Sequence, residues 1–168
     1  MLMKNKIRLL TLTLAAAMLL ASCSGTDNKN EGKESTNESA TEAEKNTEID
    51  LEATAKALSE LKNYDDSMVR ISDALAETRY VFAYDKAVIY AAEGIGADMV
   101  MVSEYPAKAD AEDGKGYVED YIKRQIDLYA GYKASEVPKL EKAYIEVKDK
   151  YLIVVVGSST DGVKDIIG

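Results

Sequence analysis

The chain has 168 residues, with 30 aspartates and glutamates against 21 lysines and arginines, a net charge of −9. That acidic balance argues against a nucleic-acid partner, whose phosphates would need a basic face. There is no histidine and there is one cysteine, so Ser-His-Asp and Cys-His catalysis and ordinary zinc sites are excluded by composition alone.

The first element in chain order is an export signal. Lys4, Lys6 and Arg8 form a basic start, and Leu9 to Ala21 is a mostly apolar run too short to span a bilayer comfortably. The run leads directly into Leu20-Ala21-Ser22-Cys23. This tetrapeptide resembles the lipobox of bacterial lipoproteins, matching it at all four positions. The resemblance implies cleavage between Ser22 and Cys23 and thioether-linked lipid on the Cys23 sulfur. It places the mature chain on the outer face of the bacterial cytoplasmic membrane. A single cysteine in an exported chain has no internal partner for a disulfide, and lipidation accounts for it. Each buried methylene of an acyl chain contributes about 0.8 kcal/mol, so two or three chains, palmitate among them, anchor firmly.

Residues 24–50 differ in kind. They hold eight acidic residues against three lysines, and no aromatic or large aliphatic residue before Ile49. Such a stretch buries too little apolar area to offset its ordering entropy, and reads as a disordered acidic tether. The expected organisation is therefore a signal peptide over 1–22, the lipidated cysteine and tether over 23–50, and one domain over 51–168.

Within that domain, Leu51, Ala55, Leu58 and Leu61 recur at helical spacing and predict a helix over about 50–62, stopped by the turn-like Asn63-Tyr64-Asp65-Asp66-Ser67. Met68 to Ile71 is compatible with a short edge strand or with the approach to a helix capped by Ser72 or Asp73 and ending near Tyr80. Val88–Ala91 and Met99–Tyr105, joined through a glycine-bearing link, predict an antiparallel hairpin. Residues 107–116 read as a polar loop before the longest helix, over about 115–132. Ala143–Val147 predicts a strand, Lys148-Asp149-Lys150 a turn, and the wholly apolar Tyr151–Val156 a strand covered on both faces. A short helix over 163–167 follows, with Ser158, Ser159 or Thr160 as its cap. The fold class is α+β: an antiparallel sheet of about four strands, a long amphipathic helix packed on one face, and shorter flanking helices.

Three segments carry a further resemblance: Tyr121-Ile-Lys-Arg-Gln-Ile-Asp-Leu-Tyr-Ala-Gly-Tyr132, then Glu136-Val-Pro-Lys-Leu-Glu-Lys-Ala143, then Tyr151-Leu-Ile-Val-Val-Val156. Together they resemble the C-terminal half of a family of Gram-positive lipoproteins catalogued as domain of unknown function 4358. Arg124, Gln125, Tyr132, Lys139, Leu140, Ala143 and Tyr151 stand at its pattern positions, while Asp149-Lys150 replaces its usual Gly-Asn turn. The resemblance implies an exported lipoprotein and carries over no catalytic residue.

Candidate chemistry is sparse. Asp110-Ala-Glu-Asp113-Gly114 lacks the ligand spacing of a calcium loop. Asp65-Asp66 reads as an exposed pair rather than an acid–base couple, and Gly157 to Gly162 as a helix cap rather than an anion cradle. No cofactor motif and no metal site is present in the sequence. Eleven tyrosines against one phenylalanine are unusual. Tyr117, Tyr121, Tyr129 and Tyr132 share one helix, and either pack into the core or form a candidate interaction surface for an envelope protein or cell-wall glycan. The leading functional expectation is a non-enzymatic binding or interaction domain of the cell envelope, held to the membrane through Cys23. The alternative is an envelope enzyme acting on a wall substrate through carboxylates or tyrosine.

Overall fold

The computed structural model describes residues 48–80 and 82–168. The export signal, Ser22, Cys23 and most of the tether lie outside these residues. The described part is an α+β domain built on five antiparallel strands in the order β1-β2-β3-β5-β4. They are β1 (Met68–Arg70), β2 (Lys86–Ala92), β3 (Met99–Glu104), β4 (Tyr144–Lys148) and β5 (Tyr151–Val156). The expected four strands become five because Met68–Arg70 pairs with Arg70 opposite Tyr90 and Met68 opposite Ala92. Three residues carry no readable periodicity, so only the neighbouring strand decides that this segment extends.

Alternation along the central strands supplies two cores. Met99, Met101, Leu152, Val154 and Val156 face one side with Ile89 and Ala91, whereas Val100, Val102, Ile153 and Val155 face the other with Val88. All six residues of β5 are buried, in line with its apolar sequence. The second face is covered by α1 (Leu51–Ser59) and α5 (Val163–Ile167), through Ala55, Leu58, Val163 and Ile167. Asp50 starts α1, its Oδ1 accepting the Ala53 N–H at 3.0 Å. The helix ends at Ser59, short of the expected Lys62. The first face is covered by α2 (Asp73–Arg79), the long α3 (Lys108–Tyr132) and α4 (Val137–Glu141), the last preceded by a 3-10 turn over Ala134–Glu136.

Two expectations are corrected. Residues 108–116 are helical, so α3 starts seven residues earlier than the 115 read from the sequence. Gly114 and Gly116 argue for a loop, but Gly114 lies against the Tyr105 ring, and that packing holds the helix. The acidic residues 110–113 are thereby helical residues near the positive end of the α3 dipole, not a cation loop. At the other end of the chain, α5 has Gly162 as its N-cap at φ 76° and no side-chain cap bond, so Ser158, Ser159 and Thr160 do not serve. The β4–β5 turn passes through Asp149 at φ 53°, a left-handed conformation that short polar side chains tolerate.

Candidate functional site

At one end of the sheet, the segment after α1, the β2–β3 link and the turn before α4 meet around one lysine. Lys139 is buried, with 6 % of its side chain exposed, and its Nζ lies 2.8 Å from Asp65, 2.9 Å from Asp98 and 3.0 Å from Glu136. Pro138 at the start of α4 presets the first turn, and the three-residue step from Glu136 to Lys139 puts both side chains on one face. Glu136 also accepts the Ala97 N–H at 3.0 Å and pairs with Lys133 at 3.0 Å. Asp98 is carried by the β2–β3 link, directly before the buried Met99. Its side chain is fully buried, and while Oδ2 accepts a hydrogen bond from the Lys139 ammonium, Oδ1 has no hydrogen-bond partner. Three carboxylates against two ammonium groups leave this cluster one negative charge in excess.

The titration of these groups follows from their surroundings. Burial pushes Asp98 up, against the opposing pull of Lys139. Burial also opposes ionisation of Glu136, but the Ala97 N–H and the ammonium groups of Lys133 and Lys139 win, holding it at about 2. Lys139 loses hydration, yet its three carboxylates raise it above the usual lysine range. Burial and the Asp98 charge raise Tyr64.

A pH dependence follows. Glu136 is depressed from 4.5 to about 2, so its stabilisation is present above its unfolded value and is lost as pH falls through that window. The difference corresponds to about 3 kcal/mol. Asp98 acts in the opposite sense: its raised value favours the folded form as it becomes protonated. Urea unfolding of the wild type is expected to lose stability between pH 4.5 and 2 more steeply than that of Glu136→Gln. Equal slopes would remove Glu136 from the account.

Next to the cluster, a cleft runs between the first face of the sheet and α3. Asp98 and Gly96 line one end, Arg79 and Tyr80 also line it, and Tyr121, Gln125 and Tyr129 form the α3 wall. Counted to its open mouth it holds about 330 Å³, but the clear space inside is only about 20 Å³. A single water needs on the order of 10–15 Å³ by that measure. Tyr129 donates to the Gly96 carbonyl at 2.9 Å, closing the Asp98 end. Tyr121 packs edge-on against Tyr80 at 5.8 Å and Phe82 at 5.3 Å. Burial raises the Tyr121 hydroxyl to about 12.

The four tyrosines read from the sequence therefore do not share one surface. Tyr129 is buried, Tyr121 is half-buried along the cleft, and Tyr117 and Tyr132 are exposed. Tyr132 stacks on Tyr129 at 4.9 Å, whereas Tyr117 lines a separate recess beside Asp113. Asp65 is in the lysine cluster, so the 65–66 pair is split in role; Asp66 approaches Gly96 instead. Residues 157–162 are held by Asn63, whose carbonyl accepts the Ser158 N–H at 2.7 Å and whose side chain donates to the Asp161 carbonyl at 2.9 Å. Asp98, Glu136, Lys139 and Arg79 were not singled out as functional residues by sequence reasoning. The available signals were a charge at Asp98 abutting an apolar strand and the place of Lys139 at a pattern position of the resembled family.

Among the described residues no group of three or more His, Cys, Asp or Glu is arranged to hold a metal ion. In the Lys139 cluster, the ammonium itself sits among the three carboxylates. No family model matches the chain, and neither the curated proteins nor the solved structures show a match.

Proposed function

We propose that this chain is a lipid-anchored, extracytoplasmic binding domain of the bacterial cell envelope, and that it belongs with the lipoproteins catalogued as domain of unknown function 4358. The anchor half of the reading is supported by the basic start, the apolar run and Leu20-Ala21-Ser22-Cys23. The observation that carries the binding half is the Asp98 carboxylate, fully buried beside a cleft with one oxygen unpartnered. A buried acid lining a cleft, with its pKa raised by burial, is a candidate functional group. The same acid favours a second reading, in which Asp98 donates a proton to a wall substrate, but no second carboxylate faces the cleft to complete an acid–base pair.

The test has two arms. Cells grown with a clickable palmitate analogue should label the protein and retain it in the membrane fraction, and Cys23→Ala should abolish both. Photo-crosslinking from intact cells should give adducts that Asp98→Asn diminishes. Labelling independent of Cys23 would sink the anchor, and adducts indifferent to Asp98 would sink the binding site.

A further inference from the structure

Three large apolar side chains stand exposed on one helix, α3: Tyr117 at 57 %, and Leu128 and Tyr132 at 54 % each. At about 100° per residue, an eleven-residue step returns to almost the same angle. Tyr117 and Leu128 therefore sit on one line along the helix, with Tyr132 one turn further on. The half-buried Tyr121 and the exposed Arg124 fall on the same line. This stripe runs beside the buried side of α3, which carries Val118, Ile122 and Tyr129.

The stripe reads the same in both directions. Tyr117 and Tyr132, Tyr121 and Leu128, and Arg124 and Gln125 are each placed symmetrically about the 124–125 peptide bond. Two copies of α3 laid antiparallel about a two-fold axis at that point bring Tyr117 against Tyr132 and Tyr121 against Leu128. Gly131 supplies room: nothing lies within 4 Å of a β-carbon built there. The ring of Tyr117 from the second copy seats in the hole between Leu128, Gly131 and Tyr132.

Charge favours the same occupant. Arg124 and Asp127 form no ion pair among the described residues, whereas Asp120 beside them is matched by Lys123 at 3.1 Å. In antiparallel helices like flanks adjoin, so Arg124 of each copy meets Asp127 of the other, offset by about 3 Å along the axis. The arrangement also sets the positive end of each helix dipole beside the negative end of its mate. From Tyr117 to Tyr132 the contact spans about 22 Å. Tyrosine and arginine are the residue types that anchor such interfaces.

We infer that α3 pairs with α3 of a second copy of this chain in an isologous antiparallel dimer. Tyr117 packs on Gly131 and Tyr132, Tyr121 on Leu128, and Arg124 on Asp127. The surface is separate from the Asp98 cleft and draws on neither its carboxylate nor its clear space.

The test is sedimentation equilibrium of the full chain in a density-matched detergent. A contact of this size belongs in the weak range, so the mass should rise from one chain toward two with a Kd of about 10–300 μM. Arg124→Glu and Asp127→Arg each bring like charges together, and each should weaken association about ten-fold or more. An equimolar mixture of these two variants should associate at least as tightly as wild type, because each supplies the charge the other lacks. That association also shows that both are folded. Leu128→Asp, at an exposed position, should abolish the dimer and leave the thermal midpoint of the dilute protein unchanged. A mass of one chain up to roughly 500 μM overturns the dimer. Association that Arg124→Glu and Leu128→Asp leave intact overturns the assignment to α3. A mixture that fails to associate overturns the antiparallel register. Asp98 and Cys23 enter none of these measurements, so the dimer can fail while the proposed binding site and anchor stand.

Discussion

Lys139→Met is expected to lower the unfolding free energy by about 3–5 kcal/mol, the cost of removing one partner from a buried charge cluster. Methionine keeps much of the apolar stem, so the loss is electrostatic rather than a matter of volume. It leaves the Asp98 carboxylate without its hydrogen bond to Lys139, Glu136 with Lys133 and the Ala97 N–H, and Asp65 free to turn to water. In urea, with a slope on the order of 2 kcal/mol per molar for a domain of this size, the midpoint should fall by roughly 2 M. Replacing Asp98 by Asn in the same chain should recover part of that loss, because an amide needs no countercharge. A Lys139→Met midpoint within about 0.3 M of wild type would mean that the cluster is solvated and contributes little. The consequence extends to function: the same four side chains tie together the segment after α1, the β2–β3 link and α4, and so position the Asp98 end of the cleft.

The second large effect has a sign opposite to the usual rule. Alanine is a better helix former than glycine by about 1 kcal/mol in a helix interior. Gly114→Ala should nevertheless destabilise the domain by about 2–3 kcal/mol, as overpacked core positions do. A β-carbon there would lie 2.3 Å from the Tyr105 hydroxyl oxygen and 2.4 and 2.6 Å from two of its ring carbons. The ring cannot retreat easily. Tyr105 is buried, its hydroxyl donates to the Phe82 carbonyl at 3.3 Å, and its N–H donates to the Lys150 carbonyl at 2.9 Å. Gly116→Ala is the control: nothing lies within 4 Å of the added carbon, so it should stabilise by roughly 0.5–1 kcal/mol. Thermal melts of the pair should move in opposite directions. If both rise, the helix and ring separate at low cost, and the first two turns of α3 are not held by Tyr105.

These two positions also show where reading the chain directly succeeds and stops. The hairpin of β2 and β3 was legible because Val88–Ala91 and Met99–Tyr105 are β-rich runs around glycines, and both ran antiparallel as expected. β5 was legible because six apolar residues in a row need cover on both faces. The start of α3 was not, because Gly114 signals a loop unless the ring that fills its missing side chain is known. The site was least legible of all. Asp65, Asp98, Glu136 and Lys139 are separated by up to 74 positions, and each alone looks like an ordinary surface charge. The tyrosine spacing left core packing and a shared surface both open, and the turn of the helix divides them, sending Tyr129 inward and Tyr117 outward.

The sequence by itself determined the α+β class and the two-sided core around β5, and it is the whole ground for proposing a lipobox at Cys23. These rest on local periodicity, composition and a contiguous motif, which need no knowledge of neighbours in space. Only the tertiary structure decided the fifth strand, the early start of α3 and the burial of Lys139 among three carboxylates. Pairing partners, ring contacts and desolvation are properties of segments brought together from distant parts of the chain. A charge becomes a candidate site only when folding has taken its water away and left one oxygen without a replacement, as at Asp98.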